Sequence, residues 1–162
     1  MRFWLLALLP LLLFPLGLRV NLTRSMPVGL YWLDSNNPTR GDFVTFCAPE
    51  RWGTAGYTGR GLCPGDTKPL LKQLCAVPGD TVEIAQDGQV LINGQLIQDS
   101  QALTIDRAGH VLSSDLDAGV VPAGFGLAFG RSTASFDSRY FGLVPLGAMR
   151  RAIFLIPFSL ME

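Results

Sequence analysis

Two side chains far apart in this sequence could together perform nucleophilic chemistry: the hydroxyl of Ser25 and the amine of Lys72. Ser25 begins a Ser-Met-Pro sequence, and because Pro27 fixes its own φ and disfavours helix at the residue before it, the hydroxyl is expected on a bend. Lys72 interrupts the mostly apolar run 69–80. In a buried strand, desolvation would favour the neutral amine, which can take a proton from a serine near neutral pH.

Each of these residues also has an ordinary structural interpretation. Ser25-Met26-Pro27 could be a plain turn that joins an N-terminal segment to a first strand. A lysine within an apolar strand is often a guard on an edge strand or a side chain that snorkels to water. Taken alone, Ser25 and Lys72 therefore leave both interpretations open.

Other catalytic systems have weaker support in the sequence. The single histidine, His110, lies in the polar and weakly patterned stretch 98–117, where a surface position is expected, and this disfavours a Ser-His-Asp triad or a Cys-His pair. The aspartates that a paired-carboxylate hydrolase would use, Asp42, Asp80 and Asp137, follow or lie within turn sequences where Asp is common. The three cysteines lack C-x-x-C spacing, so neither a zinc site nor another cofactor is expected.

Length and composition predict one globular domain with an anchor. A chain of 162 residues, 48% of them apolar, can bury one core of ordinary size. The formal charge is zero and no lysine- or arginine-rich block occurs, so protein or membrane partners are expected and nucleic acid is not. The 18 glycines and 11 prolines, together with apolar runs of strand length, favour an all-β, mainly antiparallel domain.

The N-terminal segment is predicted to be a transmembrane anchor. Phe3 to Leu18 is apolar and interrupted only by two prolines and a glycine, and as a helix it would span about 24 Å. Val20 and Leu22 bring it closer to the ~20 residues that a bilayer core needs. A cleaved signal peptide is the alternative, but bulky residues follow where a small-x-small site would be needed. We therefore assign residues 1–20 to an uncleaved anchor and 21–162 to an extracytoplasmic domain.

Alternating and apolar runs predict the strands of this domain. Asn93-Gly94 between apolar residues is a strong hairpin signal. The runs expected to hold strands are 28–33, 41–46, 69–80, 81–84, the hairpin 89–97, 120–129 and 152–156.

Cys47 and Cys63 enclose a glycine-rich segment that is predicted to be an irregular surface loop. Outside the cytoplasm, a Cys47–Cys63 disulfide would tie this loop and contribute about 3 kcal/mol on a chain-entropy estimate. The third cysteine, Cys75, is expected to be buried.

Three stretches in order carry a family resemblance. Residues 25–27 (Ser-Met-Pro), 72–80 (Lys-Gln-Leu-Cys-Ala-Val-Pro-Gly-Asp) and 135–145 (Ser-Phe-Asp-Ser-Arg-Tyr-Phe-Gly-Leu-Val-Pro) resemble the serine, lysine and Asp-Ser-Arg boxes of type I signal peptidases. The short single-anchor form, the Ser-Met-Pro-Val-Gly-Leu-Tyr sequence and the cysteine-flanked loop look most like the conjugative-transfer (TraF-type) peptidases. Those enzymes process pilin precursors, and some join the new pilin ends into a circle.

The resemblance implies a signal-peptidase-like β fold and a role for each matching residue. Ser25 would be the nucleophile and Lys72 the general base. Thr23 matches the position of a hydroxyl that helps the Ser25 backbone N–H to stabilise the oxyanion, although a turn-capping threonine is the alternative. Ser135 matches a serine that orients the lysine amine.

The third box leaves the role of one residue pair open, and the sequence also departs from the family pattern in two respects. Asp137 and Arg139 match a structural pair that supports the site, although the conjugative branch often counts the aspartate as catalytic. The usual Gly-Asp-Asn before this box is Gly130-Arg131-Ser132 here, and the second extracytoplasmic domain of large signal peptidases is missing. Both departures disfavour general secretory cleavage.

The expected function is a membrane-anchored serine endopeptidase on the periplasmic face of the bacterial inner membrane. Its expected partners are the lipid bilayer, contacted by the anchor, and a membrane-inserted pilin or preprotein substrate. A general type I signal peptidase and a non-catalytic anchored β module that binds an apolar tail remain alternatives. The residues do not decide whether an acyl-enzyme would pass to water or to an amine of the precursor.

Overall fold

The computed structural model describes residues 16–52, 55–106 and 109–158. Most of the predicted anchor, residues 1–15, lies outside the described residues. Residues 18–20, also assigned to the anchor, instead belong to the first strand, so the sheet begins inside that predicted segment. In the described ranges, no helix is long and apolar enough to cross a membrane.

Most of the described chain is built from short strands. The strands are β1 (Leu18–Asn21), β2 (Gly29–Leu33), β3 (Phe43–Phe46), β4 (Arg60–Cys63), β5 (Leu70–Ala76), β6 (Thr81–Ile84), β7 (Val90–Ile92), β8 (Gln95–Leu96), β9 (Gly119–Val120), β10 (Phe125–Phe129), β11 (Val144–Pro145) and β12 (Arg150–Pro157). Single helical turns are α1 (Ala55–Thr58) and α2 (Ser138–Phe141), with 3₁₀ turns at Glu50–Trp52, Pro64–Asp66 and Leu146–Ala148. Every run predicted to hold a strand contains one, whereas β1, β4, β11 and the helical turns were not predicted.

The strands form two antiparallel sheets. A seven-stranded sheet has the order β1-β2-β12-β3-β5-β10-β11, and a four-stranded sheet has the order β8-β7-β6-β9. The mainly antiparallel β fold is therefore confirmed. The β7–β8 hairpin turns at Asn93-Gly94, where φ values of 52° and 74° match the left-handed conformation that such a tight turn requires.

Strand β5 lies in the middle of the larger sheet, between β3 and β10. Its side chains alternate between buried and half-buried, and Lys72 is on the buried face together with Leu70 and Leu74. Lys72 stands opposite Val44 of β3, which is fully buried. The interpretation of Lys72 as an edge-strand guard is therefore wrong, because both edges of β5 are paired.

The core occupies the contact between these sheets and α2. One cluster of buried side chains packs Val44 and Leu74 against Phe141 of α2. A second cluster packs Leu127 of β10 against Val82 and other residues of the smaller sheet. Burying this apolar surface holds β5 and α2 in fixed relative positions, and both elements supply residues to the site described below.

The segment between the cysteines is more ordered than predicted. Cys47 and Cys63 form a disulfide, which confirms the predicted bridge. Between them lie a 3₁₀ turn, α1 and β4, and Trp52 packs against the core, so the prediction of a wholly irregular surface loop was wrong. Cys75 is a free thiol that is half-buried rather than buried.

Candidate active site

The turn that carries Ser25 is held by the side chain of Asn21, the last residue of β1. Its Nδ2 donates to the backbone oxygens of Thr23 (3.0 Å), Met26 (3.3 Å) and Pro27 (3.0 Å). Its Oδ1 accepts from the backbone N–H of Thr23 at 3.1 Å. The buried side-chain amide of Asn21 therefore holds the backbone of the turn together. Sequence reasoning missed Asn21, although Asn is a residue type that often bonds to nearby backbone.

Two longer-range contacts fix the same turn to the rest of the domain. The hydroxyl of Tyr31 in β2 donates to the backbone oxygen of Pro27 at 2.7 Å. The backbone N–H of Arg131, after β10, donates to the backbone oxygen of Ser25 at 2.7 Å. Ser25 itself is half-buried, so its hydroxyl is held firmly without being closed off from solvent.

The amine of Lys72 lies between two serine hydroxyls. Its Nζ is 3.3 Å from Ser25 Oγ and donates to Ser135 Oγ at 2.8 Å. The Lys72 side chain is 4% exposed. The structure thus brings together three of the residues singled out in the sequence, from the turn after β1, from β5 and from the segment before α2.

Burial changes the protonation of this amine. It lowers the pKa of Lys72 from 10.5 to about 8, while the Asp137 carboxylate raises it and the Arg139 guanidinium lowers it further. An ammonium loses much of its hydration in such a site, which favours the neutral amine. With a pKa of about 8, about one tenth of Lys72 is neutral at pH 7 and able to accept a proton.

Space for Ser135 depends on a glycine. A Cβ atom on Gly130 would lie 2.2 Å from Ser135 Oγ, much closer than non-bonded atoms can approach. Ser135 is 3% exposed, so it has little room to move away. Gly130 thereby permits the hydrogen bond between Ser135 and Lys72.

Asp137 and Arg139 form a fully buried ion pair beside this site. The guanidinium binds both carboxylate oxygens, with Nε to Oδ1 at 2.8 Å and Nη2 to Oδ2 at 3.0 Å. Asp137 also accepts from the backbone N–H groups of Gly130 (2.8 Å) and Arg139 (3.1 Å), the latter capping α2. These contacts give Asp137 a structural role, and its influence on Lys72 is electrostatic.

The hydroxyl of Thr23 is close to the nucleophile but is already engaged. Its Oγ1 is 3.5 Å from Ser25 Oγ. It also lies 2.7 Å from Oδ1 of Asn21, and because that oxygen can only accept, Thr23 must donate to it. A new hydrogen bond from Thr23 to an oxyanion would require its hydroxyl to rotate away from Asn21.

The remaining candidate residues serve other purposes. His110 is exposed and pairs with Asp106, which confirms the predicted surface position. Asp80 binds Arg40 and the side chain of Asn93. In the part of the chain that the structure describes, no group of three or more His, Cys, Asp or Glu side chains could hold a metal ion.

Comparison with known proteins gives the family of the chain. Residues 4–155 match the protein family described as "Signal peptidase, peptidase S26". The chain belongs to this family. Its serine, lysine and Asp-Ser-Arg boxes all lie within the matched residues, so the resemblance predicted from those boxes is confirmed.

Among curated proteins, this signal peptidase family member is similar to transfer proteins. "Conjugal transfer protein TraF" of Agrobacterium fabrum (strain C58 / ATCC 33970) is 39% identical over 137 residues, which cover 80% of this chain and 76% of that protein. "Plasmid transfer protein TraF" of Escherichia coli is 36% identical over 146 residues, covering 85% of this chain and 80% of that protein.

Among solved structures, a signal peptidase I from Enterococcus faecalis V583 aligns with a TM-score of 0.42 and 22% sequence identity. The alignment covers 76% of this chain and 100% of that one.

Proposed function

We propose that this signal peptidase family member is a serine endopeptidase in which Ser25 is the nucleophile and Lys72 the general base. The observation that carries the proposal is the position of a solvent-accessible Ser25 hydroxyl 3.3 Å from the buried Lys72 amine. A pKa of about 8 gives that amine a neutral fraction at physiological pH. A neutral amine at this distance can remove the hydroxyl proton during attack on a carbonyl.

The first half of the reaction forms an ester with Ser25. Oγ attacks the scissile carbonyl carbon while its proton passes to Nζ of Lys72. When the tetrahedral intermediate collapses, the C–N bond breaks and the ammonium returns that proton to the leaving amine. Ser135 accepts a hydrogen bond from one N–H of Lys72 at 2.8 Å. This bond orients the amine so that its lone pair can face the hydroxyl of Ser25.

Stabilisation of the oxyanion is assigned to the backbone N–H of Ser25 and the hydroxyl of Thr23. Thr23 would reach this role by exchanging its hydrogen bond with Asn21 for one with the oxyanion. Because that exchange offsets part of the gain, we expect Thr23 to contribute less than a preformed donor. Asp137 and Arg139 hold the segment that carries Ser135 in place.

The second half of the reaction releases the acyl group. Lys72 is again neutral after the leaving amine departs, and it can activate a water molecule to hydrolyse the ester. If the precursor's own N-terminal amine is held in the site, its effective concentration can exceed that of a dissolved peptide. Cyclisation of the precursor then competes with hydrolysis.

The substrate we propose is a membrane-inserted pilin-like precursor in conjugation. The names of the similar transfer proteins support a role in conjugation, and membership of the signal peptidase family supports a preprotein substrate. The Cys47–Cys63 disulfide is consistent with an oxidising compartment, which supports a periplasmic position for the domain. Ser25 lies only about seven residues after the apolar run that ends at Leu18, so an anchor there would keep the nucleophile near the membrane surface.

The proposal is tested with the full chain in detergent or liposomes and an authentic pilin precursor. The wild type should release a mature product, and folded Ser25→Ala protein should not. Mass analysis then separates the outcomes, because a cyclic product is one water lighter than the linear mature chain. Unchanged processing by folded Ser25→Ala protein would contradict the proposed nucleophile. Efficient cleavage of secretory preproteins but not of the pilin precursor would instead favour a general signal peptidase.

A further inference from the structure

Phe136 lies at the centre of an aromatic cluster beside the candidate active site. Its ring is stacked on Tyr57 with centroids 4.9 Å apart and on Tyr140 at 5.7 Å. The edges of Phe141 and Trp52 meet it at centroid distances of 5.5 and 6.0 Å. Such contacts favour one orientation of the ring, since aromatic pairs prefer stacked and edge-to-face arrangements.

Two of these four neighbours come from the segment that the disulfide closes. Trp52 and Tyr57 lie between Cys47 and Cys63, whereas the other two rings belong to α2. The segment is also tied to the chain before α2, because Trp52 Nε1 donates to a carboxylate oxygen of Asp115 at 2.6 Å. The disulfide-closed segment therefore supplies two of the four rings around Phe136, and α2 supplies the other two.

Phe136 separates the two residues through which this region acts on Lys72. Ser135 accepts the hydrogen bond from the Lys72 amine. Asp137 accepts from the backbone N–H of Gly130 and forms the buried ion pair with Arg139. Because Phe136 is joined to both neighbours through the backbone, a shift of its main chain would also shift Ser135 and Asp137.

We propose that Phe136 is a positioning residue, and that the Cys47–Cys63 disulfide segment holds it through Trp52 and Tyr57, so that the reactivity of Lys72 depends on an oxidised disulfide. Its catalytic consequence rests on the proposed peptidase function. Reduction removes the covalent restraint on the ends of the segment. The open segment then has more conformations to lose when Trp52 and Tyr57 dock on Phe136.

The groups that face Lys72 determine what a loosened Phe136 would do. Val44 of β3 contributes an apolar wall, and Ser25 and Ser135 contribute hydroxyls. The charges that act on the amine are Asp137, which raises its pKa, and Arg139, which lowers it, but burial has the largest effect. Water entering beside a displaced Ser135 would relieve this burial, so the pKa of Lys72 would rise towards its ordinary value.

The experiment measures the amine directly. The sequence contains two lysines, and Lys68 is exposed, so it provides an internal reference. Trace acetylation of the full chain across pH, followed by peptide mass analysis, gives the pH midpoint of reactivity for each lysine. The variants are Phe136→Ala, the Cys47→Ala/Cys63→Ala double variant, Tyr57→Ala, and Phe125→Ala as a control from outside the cluster.

We expect the Lys72 midpoint to rise by about one pH unit in Phe136→Ala and in the double cysteine variant, and the Lys68 midpoint to stay constant. A one-unit rise leaves about tenfold less neutral amine at pH 7, so kcat for precursor processing should fall about tenfold with little change in KM. Phe136→Tyr keeps the ring and should restore both values. Phe125→Ala should match the wild type.

An unchanged Lys72 midpoint and unchanged kcat in folded Phe136→Ala protein would overturn the proposal. If Phe136→Ala does not fold, Tyr57→Ala and the double cysteine variant decide by the same two measurements, because Tyr57 is 37% exposed and is removable without opening the core. The labelling does not require turnover. If the wild-type protein processes no precursor but the variants still show a raised Lys72 midpoint, the positioning role is supported and the peptidase assignment is refuted.

Discussion

Nζ of Lys72 lies 3.3 Å from Oγ of Ser25, although the two residues are 47 positions apart in the sequence. The distance is set by the central position of β5 and by the Asn21-braced turn after β1. The contact joins the one buried lysine to a hydroxyl that remains open to solvent.

Replacing Lys72 should separate its chemical role from its effect on stability. Lys72→Arg and Lys72→Met should each reduce processing by about 10²–10⁴-fold, because neither side chain offers a neutral nitrogen near physiological pH. Steady-state kinetics with the pilin precursor measures this loss. Normal turnover by either folded variant would contradict the general-base assignment.

The same Lys72→Met variant should be more stable than the wild type below pH 8. The pKa of Lys72 is lowered on folding, so the buried ammonium destabilises the folded state by about 3 kcal/mol at low pH, and stability rises as pH increases from about 8 to 10.5. Methionine removes this dependence. Chemical unfolding at several pH values should show a gain for Lys72→Met at pH 7 that disappears above pH 10.5, and an equal gain at every pH would exclude the buried charge as its cause.

Activity of the wild type should increase with pH through a midpoint near 8. Lys72 acts as a base only when neutral, and its neutral fraction increases above its pKa of about 8. The pH dependence of kcat/KM under single-substrate conditions measures this midpoint in the free enzyme. A profile that falls between pH 7 and 9, with the protein folded throughout, would contradict a neutral lysine as the base.

The two site residues that the sequence revealed without the family resemblance, Ser25 and Lys72, are unusual for their surroundings. Lys72 was identified because a charged residue interrupts an apolar run, and Ser25 because a proline fixes the bend that carries it. The strand runs were also predictable, since alternation and the Asn93-Gly94 turn are local signals. These features depend on short stretches of chain that can be examined without knowing the fold.

The parts that were missed depend on contacts between distant segments. Strand β12 enters between β2 and β3, and no local pattern specifies that order. The short α2 is stabilised by the Asp137 cap and by a hydrogen bond from the backbone of Ala128 to Ser138 Oγ, rather than by helix propensity. Trp52 was assigned to the surface because its partners, Phe136 and Asp115, are remote in sequence.

Loss of the Asn21 side chain should impair the site through the turn. Asn21→Ala removes the hydrogen bonds to Thr23, Met26 and Pro27. The Pro27 oxygen keeps the Tyr31 hydroxyl, but the buried Met26 oxygen loses its Asn21 donor, and the change should cost about 1–3 kcal/mol of stability. Processing should fall further than stability alone predicts, because Ser25 loses its fixed position. Asn36→Ala is the matched control, since Asn36 is exposed and its side chain donates a hydrogen bond to the nearby carboxylate of Asp34. Equal behaviour of the two variants in urea unfolding and in kinetics would exclude Asn21 as the central support of the turn.

A methyl group at position 130 should disconnect Ser135 from Lys72. In Gly130→Ala the added carbon would lie 2.2 Å from Ser135 Oγ, so the serine must move and the 2.8 Å hydrogen bond to the amine is lost. We expect lower stability and at least a tenfold loss of kcat. General-base catalysis requires a neutral and correctly oriented amine, and less of it is present once Ser135 has moved. Gly147→Ala is the matched control, because a Cβ there meets no atom within 4 Å.

The double variant Gly130→Ala/Ser135→Ala removes the clash with Oγ but keeps the two Cβ atoms 2.9 Å apart, so it should recover only part of the lost stability and none of the activity. Recovery of both would mean that Ser135 is dispensable and that Gly130 acts through space alone, whereas full activity in Gly130→Ala itself would show that Lys72 needs no support from Ser135.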